Sequence, residues 1–293
     1  MKRVLFSIAF LCTSLFADVE QVRPDQALIE KMEEAASKEE LIALVLKSGP
    51  YLKRSGNWQE HIRFGEMAIK IAEEKKRLFD VAQLSTQIAS TYFYLGDFEK
   101  CKNKALRAFD VYTEQDRVTG KIASLYLISA ANRSQKKYSD ALNFGHLALN
   151  LYYTHELKDP LLETKILFNL AAVYMDQENP KIKEAENFLV SCLVLIEPIP
   201  NTPYHVRARL RLVKAYLLQD KWVQAESMLA YLQKEIKEKR DLMHYHFLFA
   251  QYYQKRNEKD NAIKQARKAK LIAEELQAKE DLSRIDTLIK SFK

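Results

Sequence analysis

Apolar positions along this 293-residue chain recur every three or four residues over most of its length, the spacing of one helical face. Six stretches repeat one mixed pattern: WQEHIRFGEMAI from 58, FEKCKNKALRAF from 98, YSDALNFGHLAL from 138, IKEAENFLVSCL from 182, WVQAESMLAYLQ from 222 and KDNAIKQARKAK from 259. Their starts lie 40, 40, 44, 40 and 37 residues apart. A large residue opens five of them: Trp58, Phe98, Tyr138, Ile182 and Trp222. Three places on stands a small residue (Cys101, Ala141, Ala185, Ala225, Ala262), and ten places on another (Ala68, Ala108, Ala148, Cys192, Ala269). Spacings of three, four and seven put these positions on one face, where small side chains let a neighbouring helix approach closely.

A second helix precedes each of these. It carries an apolar-small pair and a large residue four places after the first of the pair: Ile88-Ala89 with Tyr92, Leu170-Ala171 with Tyr174, Leu212-Val213 with Tyr216, Phe249-Ala250 with Tyr253. Short polar turns such as Leu95-Gly96-Asp97 and Gln219-Asp220-Lys221 join the two. The pattern predicts helices of about 14–18 residues. Ser37-x-x-Glu40 has the form of a capping box. Asp159-Pro160 and Thr202-Pro203 set an N-cap before a first-turn proline. Pro198, Pro200 and Pro203 mark the longest interruption, between the fourth and fifth repeats. Amphipathic helices are expected before the array, from Asp25 to Ser37, and after it, from Glu280 to Ile289, where they would cover the open apolar ends.

These residues resemble the tetratricopeptide repeat (TPR) family, whose pattern is an apolar-small pair, an aromatic, a Gly or polar turn, an aromatic, then two spaced alanines. Ile88 through Gly96 and Phe98 to Ala108 matches best, with Cys101 standing where the family prefers Ala. The period of about 40 is longer than the family's usual 34 and is similar to that of kinesin light chains and bacterial peptide-sensing regulators. HEAT and armadillo solenoids share a 40-residue period and are the alternative; the Gly96-Asp97-Phe98 turn and the spaced alanines favour TPR. The resemblance implies an all-α, right-handed superhelical solenoid of antiparallel helix pairs. The expected organisation is a leader at 1–17, a capping helix at 18–40, six helix pairs at 41–277 and a capping helix at 278–293.

Composition agrees with a folded helical chain. Hydrophobic residues at 47% and charged residues at 29% suffice for a core and a soluble surface, and six Gly with seven Pro are too few for an all-β fold with many tight turns. The first seventeen residues differ from the rest: basic Lys2 and Arg3, a charge-free apolar run from Val4 to Phe16, then Ala17. That is the build of a secretory signal peptide, too short for a comfortable membrane span. Cleavage is the expectation, with a retained anchor or lipidation at Cys12 as alternatives. No later run spans a membrane. Loss of Lys2 and Arg3 lowers the formal charge from +7 to +5, a dispersed excess that permits acidic partners and does not imply nucleic acid. Cys101 and Cys192 alone make no disulfide framework.

No Gly-rich phosphate loop, GxSxG or HExxH motif occurs, so neither catalysis nor a cofactor is expected. His244 and His246, two apart on a helix, point to different faces and make a poor metal pair. Cys101 and Cys192 fall at packing positions, where buried, inert thiols are expected. In a TPR superhelix the first helix of each pair lines the concave face. The register then offers Thr86, Gln87, Ser90 and Tyr94; Tyr126, Ala130 and Arg133; Lys165, Phe168, Asn169 and Met175; Arg207, Arg211 and Lys214; and Phe247, Gln251 and Lys255. The partner-binding candidates are Tyr94, Arg133, Lys165, Asn169, Arg207, Arg211 and Lys214. Some TPR domains grip a terminal carboxylate with Lys, Asn, Asn, Lys and Arg, and Asn169, Arg207 and Arg211 are similar to the last three; Tyr126 and Ala130 stand where the first two would be. The expected function is an exported, periplasmic or secreted scaffold binding a protein or peptide, possibly acidic, in its groove. A peptide-sensing regulator or a secretion chaperone is the alternative.

Overall fold

The computed structural model describes residues 24–292. The leader, including Lys2, Arg3 and Cys12, and the terminal Lys293 lie outside the described residues. Among those described, every regular element is an α-helix. After α1 (Pro24–Glu33) come six antiparallel pairs: α2 (Lys38–Ser55) with α3 (Trp58–Glu74), α4 (Leu78–Leu95) with α5 (Phe98–Glu114), α6 (Val118–Ser134) with α7 (Tyr138–Thr154), α8 (Pro160–Asp176) with α9 (Ile182–Ile196), α10 (Tyr204–Leu218) with α11 (Trp222–Glu235), and α12 (Lys239–Lys255) with α13 (Lys259–Glu275). α14 (Lys279–Lys290) follows. No helix of the described residues is long and apolar enough to cross a membrane.

Each of the six aligned stretches begins on the first residue of the second helix in its pair. The small residues behave as their spacing requires: Ala68, Cys101, Ala108, Ala141, Ala148, Ala185, Cys192, Ala225, Ala262 and Ala269 are all wholly buried at helix crossings. A larger side chain at any of them would push two backbones apart.

The helix ends recur as regularly as the packing. Gly56, Lys76, Gly96, Asp116, Lys136 and Glu156 are 20 residues apart, and each has a left-handed backbone. Beyond each, an amide reaches back five residues: Asn57 to the Leu52 carbonyl, Arg77 to Ala72, Asp97 to Tyr92, Arg117 to Tyr112, Lys137 to Asn132 and Leu157 to Tyr152. This is the Schellman closure, which satisfies carbonyls the helix leaves open and turns the chain back on itself. Only two of these positions are glycine, so the others hold a conformation costing about 1 kcal/mol each for the sake of the turn.

Two of the capping expectations are refined. The first helix stops at Glu33, before Ser37, because Ser37 is the N-cap of α2 and its hydroxyl accepts from the Glu40 amide. Glu40 completes the box one residue early, accepting from the Ala36 amide at 2.9 Å. Asp159 caps α8 through the Leu162 amide with Pro160 in the first turn, as expected. Pro203 rather than Thr202 is the N-cap of α10, although the Thr202 hydroxyl accepts from the Tyr204 amide at 3.4 Å.

Inside α2, Pro50 has no amide to give the Leu46 carbonyl. That carbonyl instead accepts from the Gln87 side chain on α4 at 3.0 Å, tying the first two repeats together.

The array curls until its ends meet. Trp58, at the start of α3, is buried with Ala269, Ala273, Leu276, Ala278 and Ile285 from the far end of the chain, and Tyr94 and Leu95 pack against the same cluster. Gln59 donates to Gln277 at 3.4 Å across the seam. An exposed amide pair contributes under about 1 kcal/mol, whereas truncating a buried Trp costs about 3–5 kcal/mol, so apolar packing holds the seam. Gly56 belongs to it too: with φ +90° it is left-handed, and a Cβ there would stand 2.8 Å from Leu276 Cδ2. We expect Gly56→Ala to lower stability by about 1–2 kcal/mol, through backbone strain and displaced Leu276. Urea unfolding checks this, and a variant as stable as the parent would show that the seam does not constrain this turn.

Candidate functional site

The first helices of the six pairs, together with α14, face inward and enclose a chamber of about 470 Å³. All seven candidate residues line it: Tyr94, Arg133, Lys165, Asn169, Arg207, Arg211 and Lys214. Ser90, Tyr126, Ala130, Phe168, Phe247 and Gln251 line it as well. Four other groove positions do not. Thr86 and Gln87 turn back to the carbonyls of Ala82 and Leu46. Met175 is buried in the core beside Leu189 and Cys192. Lys255 lies over Trp222 and within 3.7 Å of Asp220.

Charge dominates the chamber. Lys53, Arg54, Arg133, Lys165, Arg207, Arg211, Lys214, Arg240 and Arg284 line it against Asp176, Asp241, Glu280 and Asp281, nine cations to four carboxylates. Several of these are paired. Asp176 sits between Arg133, at 2.6 Å, and Lys214. Burial works against its charge, but the two cations hold its carboxyl well below the usual carboxylate range. Arg207 is filled by Asp241 at 3.1 Å and Glu238 at 2.6 Å, and also donates to the Tyr94 hydroxyl at 3.4 Å. Arg240 is 3.7 Å from Asp281 and stacks over the Tyr94 ring at 4.1 Å.

Three partly buried cations have no carboxylate at ion-pair distance, although Asp159 acts on Lys165 and Asp176 on Arg211 from farther off. Lys53 donates to Ser90 Oγ at 2.9 Å and lies 5.6 Å from the Tyr94 ring. Burial, with Arg207 and Lys165 nearby, pushes its amine below the usual lysine range, although Tyr94 opposes this. Lys165 makes no hydrogen bond or ion pair among the described residues, and burial lowers it likewise. Arg211 lies over the Phe168 ring at 4.2 Å, and its buried Nε has no partner. Burial, then Arg133, depress its guanidinium to about 9. Burial also brings His244, on the chamber wall beside Arg240, down to about 3.

The clamp-like trio does not survive as a unit. Asn169 is buried and its amide donates to Ser129 Oγ at 2.7 Å. Arg207 is committed to Asp241 and Glu238. Arg211 alone keeps free donors toward the chamber. The two cysteines are buried free thiols, each raised by desolvation to about 12. Among the described residues no group of three or more His, Cys, Asp or Glu is placed to hold a metal ion.

Lys53, Arg240, His244 and Arg284 were not among the sequence candidates. The period would have found the first. Lining positions recur every 40 residues as Pro50, Ser90 and Ala130, as Lys53, Phe93 and Arg133, and as Arg54, Tyr94 and Ser134. Arg240 and His244 lie on the same face of α12 as Phe247 and Gln251, at spacings of four, three and four. Arg284 reaches the chamber only because the ring closes.

No protein-family model matches the chain, and no curated relative does. Solved structures do match in fold. A Rap protein complexed with competence and sporulation factor superposes with a TM-score of 0.67 at 14% identity, over 90% of this chain and 78% of that one. The Rap conjugation gene regulator of plasmid pLS20, in complex with a Phr peptide, gives 0.64 at 16% identity over 97% and 80%. Aspartyl phosphate phosphatase F from Bacillus subtilis gives 0.58 at 14% identity over 93% and 76%. The chain therefore has the right-handed TPR-type helical-repeat fold.

Asp176 offers a test of the chamber's electrostatics. Because its carboxyl is depressed in the fold, its stabilisation is complete at neutral pH and declines as pH falls below about 4. Asp176→Asn leaves Arg133 and Lys214 facing each other and should cost about 2–3 kcal/mol at pH 7, less than a fully buried broken pair because the site is partly exposed. The deficit should shrink at pH 3, and urea melts at the two pH values measure it.

Proposed function

We infer that this chain is an exported binding protein that holds a short peptide, or the end of a partner's polypeptide, inside the chamber between its first helices. The single observation that carries this is the chamber itself, where polar and cationic side chains from every repeat converge with Phe93, Phe168 and Phe247 around one volume. A pocket with apolar walls and a few directed polar groups is the usual form of a ligand site. Two neighbours of the same fold carry a peptide or factor in their complexes, which supports a peptide as the ligand class. The excess of cations favours acidic ligands. We read the chamber's work as binding of such a peptide, because its wall sets a cationic field beside the apolar faces of Phe93, Phe168 and Phe247.

Closure of the ring favours one alternative over a passive scaffold: a peptide sensor, in which ligand and seam act on each other. Arg207, on the chamber wall, and Arg240 both bear on Tyr94, which packs into the seam. The leader of Lys2, Arg3 and the run from Val4 to Phe16 supports export to the periplasm or beyond.

A photoreactive side chain placed at Gln251, on the chamber wall, should crosslink a discrete ligand in the native compartment. The same group at Val223, exposed on α11, should not. Equal labelling at both positions would sink the chamber as the binding site. Intact mass of the chain from the envelope fraction should show loss of the residues up to about Ala17; a chain retaining them in the cytoplasm would remove export.

A further inference from the structure

The chamber contains a charge arrangement that folding alone does not account for. Uncompensated buried cations cost stability, and proteins ordinarily pair them or replace them with apolar residues. Here Asp176, Asp241 and Asp281 serve Arg133, Lys214, Arg207, Arg240 and Arg284, while Lys53 is left with a hydroxyl, Lys165 with no direct contact and only the longer-range field of Asp159, and Arg211 with an aromatic face and a share of Asp176. The buried Nε donors of Arg133, Arg211 and Arg240 are unsatisfied, and all three line this one space. Three cations from three separate helices, with unfilled donors among them, form a site with no carboxylate in direct contact.

We propose that Lys53, Lys165 and Arg211 form a built anion site for two separate carboxylates. Two groups rather than one are indicated because the cations come from different walls, α2, α8 and α10. Lys53 and Lys165 line the same chamber from facing helices, and Lys165 adds to the burial and Arg207 that disfavour the charge on Lys53, so a carboxylate between the two amines would favour both in their charged form. Arg211 presents its fork over Phe168 to a second carboxylate, and Arg133 lies near enough to depress it. The inference rests on the peptide reading as to where the carboxylates come from: acidic side chains flanking an apolar residue that would sit among Phe93, Phe168 and Phe247. A free small polycarboxylate shares the chemistry and is the other source.

The full mature chain can be titrated with a blocked acetyl-Glu-Phe-Glu amide, with its Gln-Phe-Gln counterpart, and with citrate. The acidic peptide is expected to bind at least 10-fold more tightly than the amide version, and Lys165→Met or Arg211→Met should each weaken it 10-fold or more. Lys264→Met, exposed on α13 away from the chamber, should leave it within about 2-fold, as exposed charges usually do. Without ligand, Lys165→Met should raise Tm by about 2–4 °C, as removal of an uncompensated charge predicts. Equal binding of acidic and amide peptides would overturn the anion site and leave the peptide reading standing. Binding of citrate alone, lost in the Met variants, would keep the anion site and overturn the peptide reading. No binding of either acid, or a Tm that falls in Lys165→Met, overturns the proposal.

Discussion

The left-handed residue that ends each helix from α2 to α7 sets the geometry from which the rest follows. A Schellman closure every 20 residues through the first half of the chain gives helices of nearly constant length and a fixed reversal between them. Constant length brings the small residues to the same crossing point in every pair, and close crossings there rotate each pair by a similar amount relative to the last. A superhelix results from the repetition, with no single contact responsible for it. The second half departs from the strict period, with seven residues between Ile196 and Tyr204 around Pro198, Pro200 and Pro203. Even so the curvature carries through far enough for α13 and α14 to reach α3 and α4.

Curvature also decides the chemistry. In an open solenoid, lysine and arginine on the inner helices would remain hydrated, and each would keep its ordinary protonation. Closing the ring removes water from them, which is why Lys53, Lys165 and Lys214 all move below the usual lysine range and Arg211 falls to about 9. Three carboxylates compensate part of this. The fold therefore carries a concentrated positive field at its centre even though the whole chain has a modest net charge.

Repeat structure was legible because packing constrains it locally: the spaced alanines, Cys101 and Cys192 stand at a spacing any helix pair must obey. The inner face was legible to the extent that register alone determines it, hence Tyr94, Arg133, Lys165, Arg207, Arg211 and Lys214. What the inner residues do with one another was not, because pairing is a long-range property. Asn169 looks available in the sequence, yet Ser129, forty residues away, takes its amide. Arg207 looks like a ligand-gripping fork, yet Asp241 and Glu238 of the next repeat fill it. Lys53 lies on the first helix of the first repeat, which was not among the positions read for the groove, although the 40-residue period extended backward from Arg133 and Phe93 reaches it. Arg284 could be placed only once the ends were known to meet.

Tyr94 links the two halves of the molecule's behaviour. Its ring lies edge-on to Trp58, 5.6 Å away, and so belongs to the apolar seam. Its hydroxyl accepts from Arg207, its face carries Arg240 at 4.1 Å, and Lys53 approaches it at 5.6 Å. Burial would raise this phenol, but the three cations lower it below its ordinary value, so the ring responds directly to the charge state of the chamber wall. An anion that neutralises Lys53 removes part of that field and changes how strongly Arg207 and Arg240 hold the ring. A ligand's charge and the closure of the superhelix thereby act on the same side chain, and by linkage whatever strengthens one alters the other.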